Sequence, residues 1–250
     1  EISACLVGSE MCIRDSMNIL QKIFNDYYEV IKYTLHPRDS EMENIDKMLN
    51  CGDPSFGGAM YVCTTCHNMK FVSFRCKSRF CPTCGVKYSQ ERSTRMAFKL
   101  LNCTHRHCVF TIDEELRHFF LEDRSLLNCL FRAVQSVILR MFNKMNQSQN
   151  FVPGFICVLH TFGRPLEWNP HIHCILSEGG FSDNAIWRPV KHFNYTYLRN
   201  AFQTALLNEM EQHIGPSFKK IKAYIYHKDK NGFYVYALSL IHISAPTRQA

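Results

Sequence analysis

Two groups of residues in this sequence are spaced for metal chemistry. In Trp168-Asn169-Pro170-His171-Ile172-His173-Cys174-Ile175-Leu176, two histidines flank one apolar residue within a run that reads as a buried strand. Residues two apart on a strand point to the same side, so His171 and His173 present their imidazoles to one face while Ile172 and Cys174 pack on the other. An imidazole buried without a partner costs about 2 kcal/mol or more, so the pair either ligates a cation or is satisfied by hydrogen bonds in a core.

The second group is cysteine. Of thirteen cysteines, Cys103, Cys108, Cys129, Cys157 and Cys174 are scattered among apolar residues, as reduced core thiols are. Cys51, Cys63, Cys66, Cys76, Cys81 and Cys84 are clustered and contain two Cys-x2-Cys knuckles fourteen residues apart. Four thiolates so spaced suit the tetrahedral preference of zinc, which assigns a structural Zn2+ to Cys63, Cys66, Cys81 and Cys84. Cys51 and Cys76 either join His67 or His36 around a second ion or remain core thiols. Zinc is preferred to disulfides because no credible signal peptide precedes the clusters.

Both ends are set apart from the fold. Glu1 to Ser16 and Leu238 to Ala250 look like translated sequencing adapter, with Met17 as a possible native start and the native chain expected to stop near Ala237 with its source contig. The full sequence has a net charge of +7, and without these ends, which hold two arginines and three acidic residues, it is slightly more basic. That balance favours a polyanionic partner. No run of about 18 apolar residues appears, so no membrane partner is expected.

Hydrophobic periodicity predicts helices over Asn18 to Leu35, Glu41 to Leu49 and Lys87 to Leu101, the last carrying Arg92, Arg95 and Lys99 as candidate nucleic-acid contacts. A strand at Cys108 to Ile112 is followed by a short helix from near Asp113 and a long amphipathic helix from Arg124 to Asn146. Strands at Phe155 to Phe162 and His171 to Leu176, closed by Gly179-Gly180, precede a helix over Tyr195 to Ile214. Ile221 to His227 and Phe233 to Ala237 read as a hairpin around Asn231-Gly232. The class is α+β: a helical, zinc-ribbon-like N-terminal module (residues 17–101), then an antiparallel sheet covered by helices (residues 102–237).

The succession Cys51, Gly57-Gly58, Cys63-x2-Cys66, Ser78-Arg79-Phe80-Cys81-Pro82-x-Cys84, His105-Arg106-His107-Cys108-Val109-Phe110-Thr111-Ile112, Leu159-His160-Thr161-Phe162-Gly163 and Asn169-Pro170-His171-Ile172-His173 resembles the rolling-circle, two-tyrosine transposases of the insertion-sequence ninety-one family. The resemblance covers nearly all of Met17 to Ala237 and implies a zinc-binding domain followed by a nuclease core of the HUH type. In that chemistry the histidine pair holds a divalent cation, Mg2+ or Mn2+, that polarises a phosphate of single-stranded DNA, and a tyrosine attacks to leave a 5′-phosphotyrosine. His171 and His173 match the pair, and His160 is the candidate third ligand. Implied too are single-stranded DNA at element termini as partner and a bacterial cytoplasmic, nucleoid-associated location; the oligomeric state stays open. The family's tyrosines lie four apart on one helix, and no Tyr-x3-Tyr occurs here, so this chain is expected to be inactive in strand cleavage by itself. A non-catalytic zinc-dependent nucleic-acid-binding module and a plasmid relaxase or replication initiator remain alternatives.

Overall fold

The computed structural model describes residues 18–145, 151–190 and 192–241, and the chain divides after Phe98 into two compact units. The adapter-like segment 1–16, Met17, and residues 242–250 lie outside the described residues. In the N-terminal unit, helices α1 (Ile19–Asp26) and α2 (Tyr28–Thr34) replace the single helix expected from Asn18, because Tyr27, at φ −111° and ψ 12°, breaks the run. Asn18 caps α1 reciprocally with Gln21: its side chain accepts from Leu20 N–H at 3.0 Å and its N–H donates to Gln21 Oε1 at 3.0 Å. Gln21 is buried, and its amide donates to the carbonyls of Met48 (2.7 Å) and Cys51 (3.4 Å), which ties α1 to the end of α3 (Asp39–Leu49).

Strands β1 (Gly58–Val62) and β2 (Met69–Ser73) then form an antiparallel hairpin with Met60 opposite Phe71. Helix α4 (Pro82–Ala97) starts five residues before the expected Lys87 and stops short of Leu101, since Cys81 takes the N-cap and Pro82 the first turn, where its fixed φ suits a helix. Gly85 is required there, because a Cβ would sit 2.6 Å from the Arg79 carbonyl oxygen. The core of this unit is small. Met48, Cys51 and Cys81 are its buried apolar cluster, with Phe24, Leu49, Cys76 and Cys84 packed against them.

In the C-terminal unit, β3 (His105–Phe110) leads into α5 (Arg117–Glu122) and α6 (Leu127–Met145). Strands β4 (Phe151–Phe162), β5 (Trp168–Ser182) and β6 (Trp187–Pro189) follow, then helices α7 (Tyr195–Ile214) and α8 (Lys219–Lys228), and β7 (Val235–Ile241). The sheet is antiparallel in the order β4-β5-β3-β7, with β6 paired to the far end of β5. The architecture is α+β, as expected. Alternation sets the faces: Ile172, Cys174 and Leu176 of β5 and Cys108 and Phe110 of β3 are buried against Leu130, Val134, Ile138, Phe142, Phe202 and Leu206 of α6 and α7.

Three expectations are corrected. Ile221 to His227 is helical, not a strand, because Phe218, Ile221 and Ile225 face the core at helical spacing and Lys222 pairs with Glu211 at 2.6 Å. β5 runs through Gly179-Gly180 to Ser182, since the two glycines let Trp187-Arg188 and the Val152 carbonyl come closer than a Cβ allows. β7 spans Val235–Ile241 and continues four residues past the end expected at Ala237, its backbone pairing Leu238 with His107 and Ile241 with His105. The stretch Arg124–Met145 is long and apolar enough to cross a membrane by length and composition, but its Leu130, Val134, Val137, Ile138 and Phe142 are fully buried in this core.

Candidate metal centres

The N-terminal unit gathers four thiols, but not the four expected. The sulfurs of Cys51, Cys76, Cys81 and Cys84 all lie within 4.8 Å of one another. Cys51 sits at the end of α3, Cys76 follows β2, and Cys81 and Cys84 start α4. Cys63 and Cys66 are instead exposed in the turn between β1 and β2, where Cys63 N–H donates to the Asn68 carbonyl and His67 N–H to the Cys63 carbonyl, each at 2.9 Å. The assignment of Cys63, Cys66, Cys81 and Cys84 to one ion is therefore corrected: the hairpin carries the first knuckle out to its turn, and its flanks bring Cys51 and Cys76 to the second.

The geometry of the quartet fits zinc. Cys51 Sγ lies 3.6 Å and Cys76 Sγ 3.7 Å from Cys84 Sγ, and tetrahedral Zn–S bonds of about 2.3 Å place sulfurs about 3.8 Å apart. Backbone amides point at two of the sulfurs. Cys76 N–H donates to Cys51 Sγ at 3.5 Å and Ser78 N–H to Cys76 Sγ at 3.4 Å. Burial pushes the Cys51 thiol up, but the Cys76 N–H and the neighbouring thiols outweigh it and leave it below its usual value. Burial holds Cys76 and Cys84 well protonated until something displaces their protons.

The second centre lies on the sheet face opposite α6 and α7. Strands β4 and β5 are joined by a turn in which Gly163 N–H donates to the Glu167 carbonyl at 3.0 Å, and this register sets His160 opposite His171. A register shift follows His160, the kind of local bulge that aims a side chain. One nitrogen from each of His160, His171 and His173 falls within 4.8 Å of the others, so the structure brings the sequence pair and its candidate third ligand together. His171 Nε2 and His173 Nε2 are 3.1 Å apart, close to the ~3.0 Å separating two ligands at right angles around an ion ~2.1 Å away.

Hydrogen bonds select the ring tautomers. The Asn169 carbonyl only accepts, so His171 Nδ1, 2.7 Å away, carries the proton and Nε2 keeps its lone pair. His173 does the same if its Nδ1 donates to His107 Nε2, 2.8 Å away, with the two rings stacked at 5.0 Å. His107 on β3 is the neighbour of this cluster that sequence reasoning did not single out. Burial, then His160, His171 and His107, pull His173 down to about 4, and burial followed by His171 and His107 also lowers His160. Both rings are thus neutral near pH 7, the form that ligates. Trp168 anchors the start of β5, donating to the Arg117 carbonyl at 2.8 Å with the Arg124 guanidinium 5.0 Å above its ring.

Of the candidate nucleic-acid contacts, Arg92 and Arg95 are exposed one turn apart on α4 and form no ion pair among the described residues, and Lys99 is exposed beyond the helix end.

Comparison with known proteins agrees with a zinc site in the N-terminal unit. The family model described as a transposase zinc-binding domain matches residues 23–112, and one described as a putative transposase matches residues 154–237. The transposase for insertion sequence element IS801 of Pseudomonas savastanoi pv. phaseolicola is 33% identical over 153 residues, covering 60% of this chain and 36% of the relative. The putative transposase y4qJ of Sinorhizobium fredii (strain NBRC 101917 / NGR234) is 30% identical over 168 residues, covering 65% of this chain and 42% of the relative. The chain thus spans less than half the length of these relatives. No solved structure matches. The zinc-domain match over the thiol quartet, the transposase match over the histidine strands and the identity to an insertion-sequence transposase agree, and the chain belongs to the insertion-sequence ninety-one family of transposases.

Proposed function

We propose that this chain provides the zinc-stabilised and histidine-metal parts of an HUH-type transposase that works on single-stranded DNA at the ends of its element by a rolling-circle route in the bacterial cytoplasm. The observation that carries the reading is the convergence of three imidazoles on the sheet face away from the helices, with His171 Nδ1 against the Asn169 carbonyl and His173 Nδ1 against His107 Nε2. A divalent cation there would supply charge to a scissile phosphate, leaving positions for water and phosphate oxygens. Three nitrogen ligands favour Mn2+ over Mg2+, which prefers an all-oxygen shell. His171, His173 and His160 bind, and His107 holds the His173 ring in its ligating tautomer. Cys51, Cys76, Cys81 and Cys84 hold the zinc.

Manganese titration of purified protein tests the site. His171→Ala and His173→Ala are expected to abolish binding at this centre with the fold retained. His107→Phe should weaken it about 10–100-fold, the usual effect of removing a partner behind a ligand, and His107→Gln, which keeps an acceptor, should recover part. Unaltered binding in the first two variants would return the histidines to the hydrogen-bonded core reading.

Arg92, Arg95 and Lys99 are proposed to meet phosphates. Reversing their charges is expected to weaken single-strand affinity and to flatten its dependence on salt, the slope of log affinity against log salt falling by about 0.7 for each phosphate no longer neutralised. Identical slopes for the variant and the parent would leave α4 as a solvated face.

A further inference from the structure

We propose that Tyr234 and Tyr236 form a stacking site for an unpaired nucleobase, on the same sheet face as the histidines and two strands away from them. The site rests on the single-strand reading above and deepens it. Residues directly opposite one another in neighbouring strands share a face, and one row crosses the sheet from Val158 to His173, to Val109, to Tyr236. Tyr236 therefore stands on the side of His173 at about two strand spacings, roughly 10 Å. A short stretch of sugar-phosphate backbone bridges that gap, so a strand whose phosphate lies at the histidines can lay a neighbouring base on β7.

The two rings are built as a platform and not as packing. Tyr234 and Tyr236 stack on each other with centroids 5.8 Å apart and planes 29° off parallel, yet they remain 53% and 45% exposed. Val235 between them is buried in the core, which fixes the strand's facing and turns both tyrosines outward. The backbone at Tyr234 is held by Thr111, whose N–H and hydroxyl donate to its carbonyl at 3.2 and 2.9 Å. Arg199 of α7 lies 4.7 Å above the Tyr234 ring and brings a positive charge to the site. Stacked aromatic rings beside a cation suit a base with its phosphate, and they tolerate any base because every base has a π-face.

The test uses the whole chain and a mixed-sequence oligodeoxynucleotide carrying 2-aminopurine. Quenching of the probe on binding is expected, and Tyr234→Ala and Tyr236→Ala should each weaken single-strand affinity about tenfold with the salt slope unchanged, since every phosphate keeps its cationic partner. Tyr236→Phe and Tyr236→Trp should bind like the parent, which separates stacking from a folding defect. An oligonucleotide with abasic sites should bind the parent protein more weakly by the same factor and show no further weakening against the alanine variants. Equal affinity of the parent for abasic and base-containing strands, or alanine variants that bind as the parent does, would overturn the proposal. Manganese titration of the tyrosine variants should match the parent, so a failure of the histidine site appears in that measurement and a failure of the stacking site in the other.

Discussion

Replacing Cys76 or Cys51 with serine should strip zinc from the N-terminal unit and unfold it, whereas Cys63→Ser and Cys66→Ser should leave metal and fold in place. The parent is expected to hold about one zinc per chain, as a four-thiolate site does. The contrast between the variants follows from position, since Cys51 and Cys76 lie in the quartet with Cys81 and Cys84 while Cys63 and Cys66 are exposed on a turn. Its size follows from the core. A unit whose buried apolar cluster is Met48, Cys51 and Cys81 has little else to hold it, and structural zinc binding contributes about 10–16 kcal/mol in small modules, more than such a core supplies. Elemental analysis together with thermal melts of the four variants, with and without a chelator, reads both effects. Zinc missing from Cys63→Ser and retained by Cys76→Ser would restore the two-knuckle pairing.

The second large effect concerns covalent chemistry. This chain by itself is expected to form no DNA–tyrosine adduct, and a fusion supplying the remaining length of a curated relative should form one. Direct attack needs a nucleophile about 3–3.5 Å from the phosphorus, and absence of that positioning forfeits about 7–11 kcal/mol, five or more powers of ten in rate. None of the eleven tyrosines is spaced four from another. Tyr224 and Tyr226 belong to α8, whose Ile225 is buried in the core, and Tyr236 lies two strands from His173. Labelled single-stranded DNA from an element end, incubated with manganese and either protein, is resolved on a denaturing gel. An adduct formed by this chain and mapped to Tyr224, Tyr226, Tyr234 or Tyr236 would make it a nuclease in its own right.

The histidine strand was legible because period-two alternation is local: Ile172, Cys174 and Leu176 on one side require His171 and His173 on the other. Helix α7 was legible to the residue because Asn194 caps it, its side-chain oxygen accepting from Tyr197 N–H at 2.9 Å, and Gly215 at φ 93° ends it. Helix α8 was misread because Tyr224-Ile225-Tyr226 alternates like a strand, while the helical spacing of Phe218, Ile221 and Ile225 shows only when the window begins earlier. The thiol quartet was illegible for another reason. Proximity in sequence favours pairing two knuckles, whereas Cys51 and Cys76 meet through a hairpin whose register no spacing rule contains. His107 escaped notice because its approach to His173 is diagonal across strands, and sits two residues along from the directly opposed Val109.

The alternation of β5 also bears on how copies of such an element decay. Insertion of one codon between His171 and Leu176 would not merely displace a side chain; it would turn every later residue of the strand over, sending core residues to water and their neighbours inward. The same insertion in the Gly163–Glu167 turn can be absorbed by a longer loop at little cost. Reading frame intact is therefore a poor guide to whether a copy survives. Length polymorphism should collect at that turn and be rarer within the strand.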